Sequence, residues 1–253
     1  MNKINIFVEK FFNELNRKKV NYAILRNYNN LPFKDKTTEY FDLDLLVDSS
    51  QYNEFLILLN LVSKSCELQI AKIIKREYVK TIQIFYIEKN CSLCAIQIDA
   101  HIYGQNWWGN FYLCEKEILA NKTFYKNYFV VSNFHQELIK WLDKLFWGNY
   151  VKLKYINGIL SCFEENEALL KDYLLKVFGA KLSSNLLTCI KNNDLNSTLY
   201  FRKKMIRKLR IYSFTKFTIP TFRSTIEFFY FELILRLFPL GIYVVFESDC
   251  NNL

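Results

Sequence analysis

The chain has 253 residues, with 34 basic against 25 acidic side chains, a net charge of +9 and 51% apolar residues. That apolar content excludes an intrinsically disordered protein, and the length suffices for one large domain or two small ones. Only six glycines and three prolines occur, and neither G-x-G-x-x-G nor G-x-x-x-x-G-K-[ST] is present, which excludes the glycine-rich dinucleotide and P-loop cradles.

Residues 4–18 set Ile4, Phe7, Val8, Phe11, Phe12 and Leu15 at helical spacing, with Glu9 and Glu14 between them. This predicts an amphipathic helix and not a signal peptide. A strand is expected at 21–26, then a polar loop from 27 to 40 containing Pro32, a second strand FDLDLLV at 41–47, and a helix at 51–62. Segments 78–88 and 94–103 alternate at period two and read as a hairpin turning at 89–93. A loop carrying Trp107, Trp108 and Gly109 follows, where core packing is expected of the tryptophans ahead of sugar stacking, then a small hairpin at 123–131. Beyond residue 132 the pattern is helical: 133–148, 150–163, 165–179 and onward through 192. Strands first and helices after imply an α+β protein with a head at 1–132, a helical domain at 133–238 and a short tail at 239–253.

Seven scattered cysteines without a secretory signal predict reduced thiols and a cytoplasmic protein. Cys91 and Cys94 form a single C-x-x-C with no second ligand pair, so a closed zinc site is not expected. His135, near a helix start, is expected to be a cap or surface residue. Residues 225–246 are apolar but are broken by Glu227, Glu232, Arg236 and Pro239, so no spanning helix is expected. Segment 201–223 carries eight cations and no acid. A solvated helix face is the favoured reading, and peripheral contact with an anionic membrane stays open. Nucleic acid is not expected as a partner, because no base-stacking platform accompanies the charge.

Asp42 and Asp44 stand at i and i+2 in an apolar strand, so both leave the same face of a sheet. Two carboxylates this close raise each other's pKa unless a cation lies between them, and a hard divalent ion with oxygen ligands is the economical compensation. Asp99 shares one face of its strand with Gln97 and His101, while Ile96, Ile98, Ala100 and Ile102 take the other. If the two strands are neighbours, three carboxylates converge. That set can hold two Mg²⁺ ions for in-line phosphoryl or nucleotidyl transfer, with Asp99 helping to deprotonate the attacking hydroxyl. His101 is a candidate for substrate contact. The D-x-D of a glycosyltransferase is discounted, because such enzymes build a unit of on the order of 100 residues, a small domain, before it. Only 41 residues precede Asp42.

The stretches YAILRNYNNLP, FDLDLLV and IQIDAHIYG resemble the nucleotidyltransferase-like proteins of the DNA polymerase β superfamily, nearest the bacterial branch found beside surface-polysaccharide genes. The resemblance covers roughly residues 4–147. It implies a minimal nucleotidyltransferase fold, a mixed sheet flanked by helices with a helical domain behind. It also implies Mg²⁺ held by Asp42, Asp44 and Asp99, a nucleoside triphosphate donor, and a hydroxyl acceptor such as a sugar or sugar phosphate. The superfamily's Gly-Ser or Gly-Gly pair is replaced here by Arg26 and Asn27. Arg26 can offer a guanidinium fork to a triphosphate, but the backbone cradle is lost, and a non-catalytic binding module is the alternative. Lys140 and Lys144, four apart on the helix after the last Asp strand, match a lysine that reaches the phosphates in similar proteins; an exposed helix face is the other reading. The end of the chain, GIYVVFESDCNNL, looks like the opening strand of a thymidylate-kinase-like domain without its GKS/GKT, and no kinase activity is assigned to it.

Overall fold

The computed structural model describes residues 3–26, 28–31, 40–75, 78–88 and 92–237. Most of the 27–40 loop, Cys91, and the tail at 239–253 lie outside the described residues.

Helix α1 (Lys3–Arg17) forms as the spacing predicts, with Ile4, Phe7, Val8, Phe11, Phe12 and Leu15 all buried. Strand β1 (Tyr22–Ile24) is fully buried, β2 (Tyr40–Val47) carries the D-x-D, and α2 (Tyr52–Ser65) follows it. Three antiparallel strands come next: β3 (Gln69–Lys75), β4 (Val79–Ile87) and β5 (Leu93–His101). The β4–β5 pairing is the expected hairpin. β3 is an element the sequence reading did not contain.

The segment expected to be a loop around Trp107 is instead a second, two-stranded sheet of β6 (Gly104–Trp107) and β7 (Asn110–Cys114). Its turn residues, Trp108 (φ 51°) and Gly109 (φ 73°), both sit at positive φ, the backbone that matches the twist of a two-residue hairpin. A short helix α3 (Glu115–Ala120) leads to β8 (Thr123–Tyr125) and β9 (Tyr128–Val130), the small hairpin expected there.

The main sheet has strand order β3-β4-β5-β2-β1-β9-β8 and is mixed. β2 lies parallel to β5 and antiparallel to β1, and β1 lies parallel to β9. The fold class read from the sequence, an α+β mixed sheet flanked by helices with helices behind, is therefore the one observed.

The helical region comprises α4 (Asn133–Trp147), α5 (Leu153–Glu165), α6 (Glu167–Phe178), α7 (Ala180–Lys191), α8 (Arg202–Lys216) and α9 (Thr218–Leu237). Met205, Leu209 and Tyr212 of α8 are buried, as their common helical face requires. Hydrogen bonds tie these helices to the head and to one another. Phe111 N–H donates to Ser213 Oγ (2.9 Å), Tyr173 O–H to the Tyr112 carbonyl (3.2 Å), and Arg202 to the Phe146 carbonyl (2.7 and 3.0 Å). Among the described residues no helix is long and apolar enough to cross a membrane.

Two apolar cores lie on opposite faces of the main sheet. One joins α1 and α2 to Phe41, Leu43, Leu45 and Val47 of β2 and to Ile96, Ile98 and Ala100 of β5. The other joins the helical region to Ala23, Leu25 and Leu46. Period-two alternation explains the split, since Leu46 shares a face with Asp42 and Asp44 while its neighbours share the other. The helices reach Leu46 and cover it, and the next residues back along that face are the two aspartates.

Candidate metal and nucleotide site

Strand β2 points Asp42 and Asp44 out of one face, and β5 brings Asp99 to the same face in direct register, with Asp44 opposite Asp99 and Asp42 opposite Gln97. One oxygen from each of Asp42, Asp44 and Asp99 lies within 4.8 Å of the others. The two strands are thus neighbours, and the three carboxylates converge. Asp44 is buried at 3% exposure, Asp99 is half-buried, and Asp42 stands exposed at the rim.

Each carboxylate is compensated differently. Asp44 accepts both arms of the Arg26 guanidinium, Nη2 donating to Oδ1 at 2.9 Å and Nε donating to Oδ2. His101 Nε2 lies 3.9 Å from Asp44 Oδ1. Burial pushes the Asp44 carboxyl up, but His101 and Arg26 outweigh it and hold Asp44 below the usual carboxylate range. Arg26 is itself raised: burial would lower it, and the bond and charge of Asp44 more than reverse that. Asp42 goes the other way, raised first by desolvation and then by repulsion from Asp44 and Asp99. Asp99 Oδ2 accepts from Gln97 Nε2 at 3.1 Å, while its Oδ1 is buried and has no hydrogen-bond partner. A buried carboxylate oxygen left without a donor is an open place for a cation.

Of the other sequence candidates, His101 does share the face of Asp99, and its Nδ1 is buried and unpartnered. Lys140 forms an ion pair with Glu137 at 2.6 Å on its own helix, and Lys144 is exposed. The structure therefore brings together Arg26, Asp42, Asp44, Asp99 and His101, and gives the two lysines no contact with the carboxylates. His135 departs from the surface reading: it is 4% exposed, with Nδ1 2.8 Å from Ser132 Oγ, the side chain that caps α4. Burial lowers its pKa. Trp107 packs against Phe146 at 6.0 Å, and Trp108 pairs with Trp147 at 5.4 Å while staying 40% exposed.

Two further acids were not singled out in the sequence. Asp143 of α4 accepts from Tyr112 O–H at 2.7 Å, and burial raises its carboxyl despite that bond and the charges of Arg26 and His101. Its signal was faint, a single acid between the apolar Leu142 and Leu145. Glu115, at the start of α3, accepts from Ser49 N–H (3.1 Å), Ser49 Oγ–H (2.7 Å) and Tyr103 N–H (2.9 Å). It pins the ends of β2 and β5 beside each other, and only tertiary structure reveals the three donors.

No family model and no curated protein matches the chain. Two solved structures from Helicobacter pylori are similar to it. JHP933 has 9% identity and a TM-score of 0.36, covering 90% of this chain and 94% of that one. A provisionally assigned nucleotidyltransferase has 12% identity and a TM-score of 0.36, covering 80% of this chain and 94% of that one. At that TM-score neither neighbour bears on the site, and the functional reading stands on the residues above.

Proposed function

We propose that the chain is a metal-dependent nucleotidyltransferase that moves a nucleotidyl group from a nucleoside triphosphate to a hydroxyl acceptor. One observation carries the reading: Asp42, Asp44 and Asp99 converge within 4.8 Å on adjacent parallel strands. Such a cluster is costly unless a cation joins it, and the partnerless Asp99 Oδ1 suits an oxygen-ligated divalent ion. The three aspartates would hold Mg²⁺, which when bound offsets the phosphate charge and acidifies the acceptor hydroxyl. The acceptor oxygen attacks the α-phosphorus, its proton passes to Asp99, and the bond to the departing diphosphate breaks. Arg26 is half-exposed and can turn its fork from Asp44 to the phosphates. Lys140 and Lys144 are assigned to the same phosphates from α4. The sequence resemblance supports a sugar or sugar phosphate as acceptor in cytoplasmic surface-polysaccharide synthesis, with the head at 1–132 and the helical domain at 133–238.

A second reading is a catalytically inactive binding module, and one observation favours it. Arg26 already occupies both oxygens of Asp44, the most buried of the three acids. Calorimetric titration of each nucleoside triphosphate, with and without Mg²⁺, into wild type and Asp44→Asn separates the two. A micromolar component of the binding that needs Mg²⁺ and is lost in Asp44→Asn is the expected result. A folded wild type whose triphosphate binding has no Mg²⁺-dependent component refutes the enzyme and leaves the module.

A further inference from the structure

The most concentrated charge in the helical region surrounds a cavity built from elements that contribute nothing to the carboxylate cluster. The start of α7 and one face of α8 enclose an open recess of about 630 Å³, ringed by Lys181, Lys203, Lys204, Arg207 and Lys208. All five side chains belong to exposed residues, and no acid lines the recess. Among the described residues none of the five has an ion-pair partner, whereas neighbouring cations are neutralised: Lys176 pairs with Glu117 at 3.1 Å and Lys191 with Glu167 at 2.6 Å. Five unpaired cations around a concave wall focus a strong positive potential inward.

We propose that this cavity binds a small anion carrying two or more linked phosphate groups. Its volume falls within the ordinary small-ligand range of roughly 300–1,000 Å³. The cations come from two helices and converge from two sides, which suits a ligand with several anionic oxygens better than a single ion. The unpaired amides at the start of α7 add donors on the same side, because Gly179 precedes it and no side chain caps it. Single-stranded nucleic acid fits less well: the aromatic ring in the wall, Phe178, is 1% exposed and offers no face for a base. A lipid surface fits less well too, since the charges ring a recess whose apolar walls, Phe178 and Leu182, are buried.

The test is calorimetric titration of tripolyphosphate into the full chain in the presence of a chelator, so that no divalent ion contributes at the carboxylates. Saturable binding is expected, and about tenfold weaker binding of inorganic phosphate, equivalent to ~1.4 kcal/mol. Arg207→Glu should weaken tripolyphosphate about tenfold or more by the loss of a charge-assisted contact. Lys204→Glu gives the same reading should the first variant fold poorly. Lys216→Glu makes the comparable charge change on α8 outside the cavity and should leave binding within about twofold, because exposed charges beyond a Debye length are screened. Asp44→Asn should bind as wild type does, so the outcome is independent of the nucleotidyltransferase reading. No saturable binding, equal weakening by Arg207→Glu and Lys216→Glu, loss in Asp44→Asn, or phosphate binding as tightly as tripolyphosphate would each overturn the proposal. So would binding of single-stranded RNA or of phosphatidylglycerol vesicles by a chain that ignores tripolyphosphate.

Discussion

Replacing Arg26 by Ala removes both donors from a carboxylate that is 3% exposed. Breaking a fully buried ion pair from one side costs about 3–5 kcal/mol, because the remaining charge stays in low dielectric. Half of the Arg26 side chain is exposed, so water already screens part of the pair, and His101 remains 3.9 Å from Asp44. The expected loss is therefore about 2 kcal/mol at pH 7, read as the change in urea midpoint at constant m. The pH dependence is the sharper readout. In the wild type Asp44 is held below the usual carboxylate range, so its contribution is present above that range and is lost as pH falls through the depressed value. Without Arg26, desolvation, the largest single influence on this group, is opposed by His101, and the Asp44 carboxyl rises relative to wild type. The gap between wild type and variant should be widest at neutral pH, begin to shrink as pH falls through the variant's carboxyl, and close only once the wild-type carboxyl is protonated as well.

Divalent ions supply a second arm of the same experiment. With the guanidinium gone, both oxygens of Asp44 are open to a cation shared with Asp42 and Asp99. Saturating Mg²⁺ should then stabilise Arg26→Ala by about 2.7 kcal/mol at a hundred times its dissociation constant, and wild type by less. A loss under ~0.5 kcal/mol at pH 7, within the range of an ordinary surface substitution, would refute the reasoning. A loss that does not vary with pH would do the same.

Three further outcomes follow from particular contacts. Glu115→Ala strips acceptors from Ser49 N–H, Ser49 Oγ–H and Tyr103 N–H, and should cost about 2–4 kcal/mol in chemical unfolding; a loss below ~1 kcal/mol would mean those donors find water at no cost. Burial lowers the His135 pKa, so the unfolded chain binds its proton more readily and stability should fall as pH drops below the ordinary imidazole value of ~6.5. His135→Gln should flatten that part of the stability profile, and an unchanged slope would show that His135 does not set it. A Cβ at Gly104 (φ +130°) would stand 1.9 Å from the Leu113 carbonyl oxygen, so Gly104→Ala should lower stability by about 3 kcal/mol or more. A thermal midpoint equal to wild type would contradict that geometry.

Where a pattern was local, the sequence was legible. α1 shows its period directly in six apolar residues, and β5 shows alternation with one polar face. The D-x-D strand could be read because period-two geometry leaves no choice about which side chains share a face. β3 was missed because Gln69, Lys72 and Lys75 interrupt its alternation and it earns its place only by pairing with β4. The β6–β7 hairpin was missed for a related reason: its turn uses Trp108 at positive φ, a residue that does not announce such a turn. Of the site, the three aspartates and Arg26 were visible as residue types, but the bond between Arg26 and Asp44 was not. That bond depends on β1 pairing antiparallel with β2, which carries Arg26, two residues beyond β1, back across Asp44.

The way the cluster is compensated points to what it is built to accept. Were the three acids merely tolerated, each would be expected to have either its own donors or free access to water. Asp44 has a guanidinium and a nearby imidazole, and Asp42 has water. Asp99 has neither at Oδ1, although Gln97 satisfies its other oxygen. An unpaired buried carboxylate oxygen costs several kcal/mol at worst, and substitution by Asn or Leu would relieve it without disturbing the neighbouring ladder. The neighbouring Ile96, Ile98 and Ala100 show that β5 packs apolar side chains on its other face without difficulty, so the polar row Gln97, Asp99, His101 is not imposed by the strand. The economical account is a cation that arrives from outside, completes Asp99, and contends with Arg26 for Asp44. On that account Arg26 keeps Asp44 ionised and aligned until the cation displaces it.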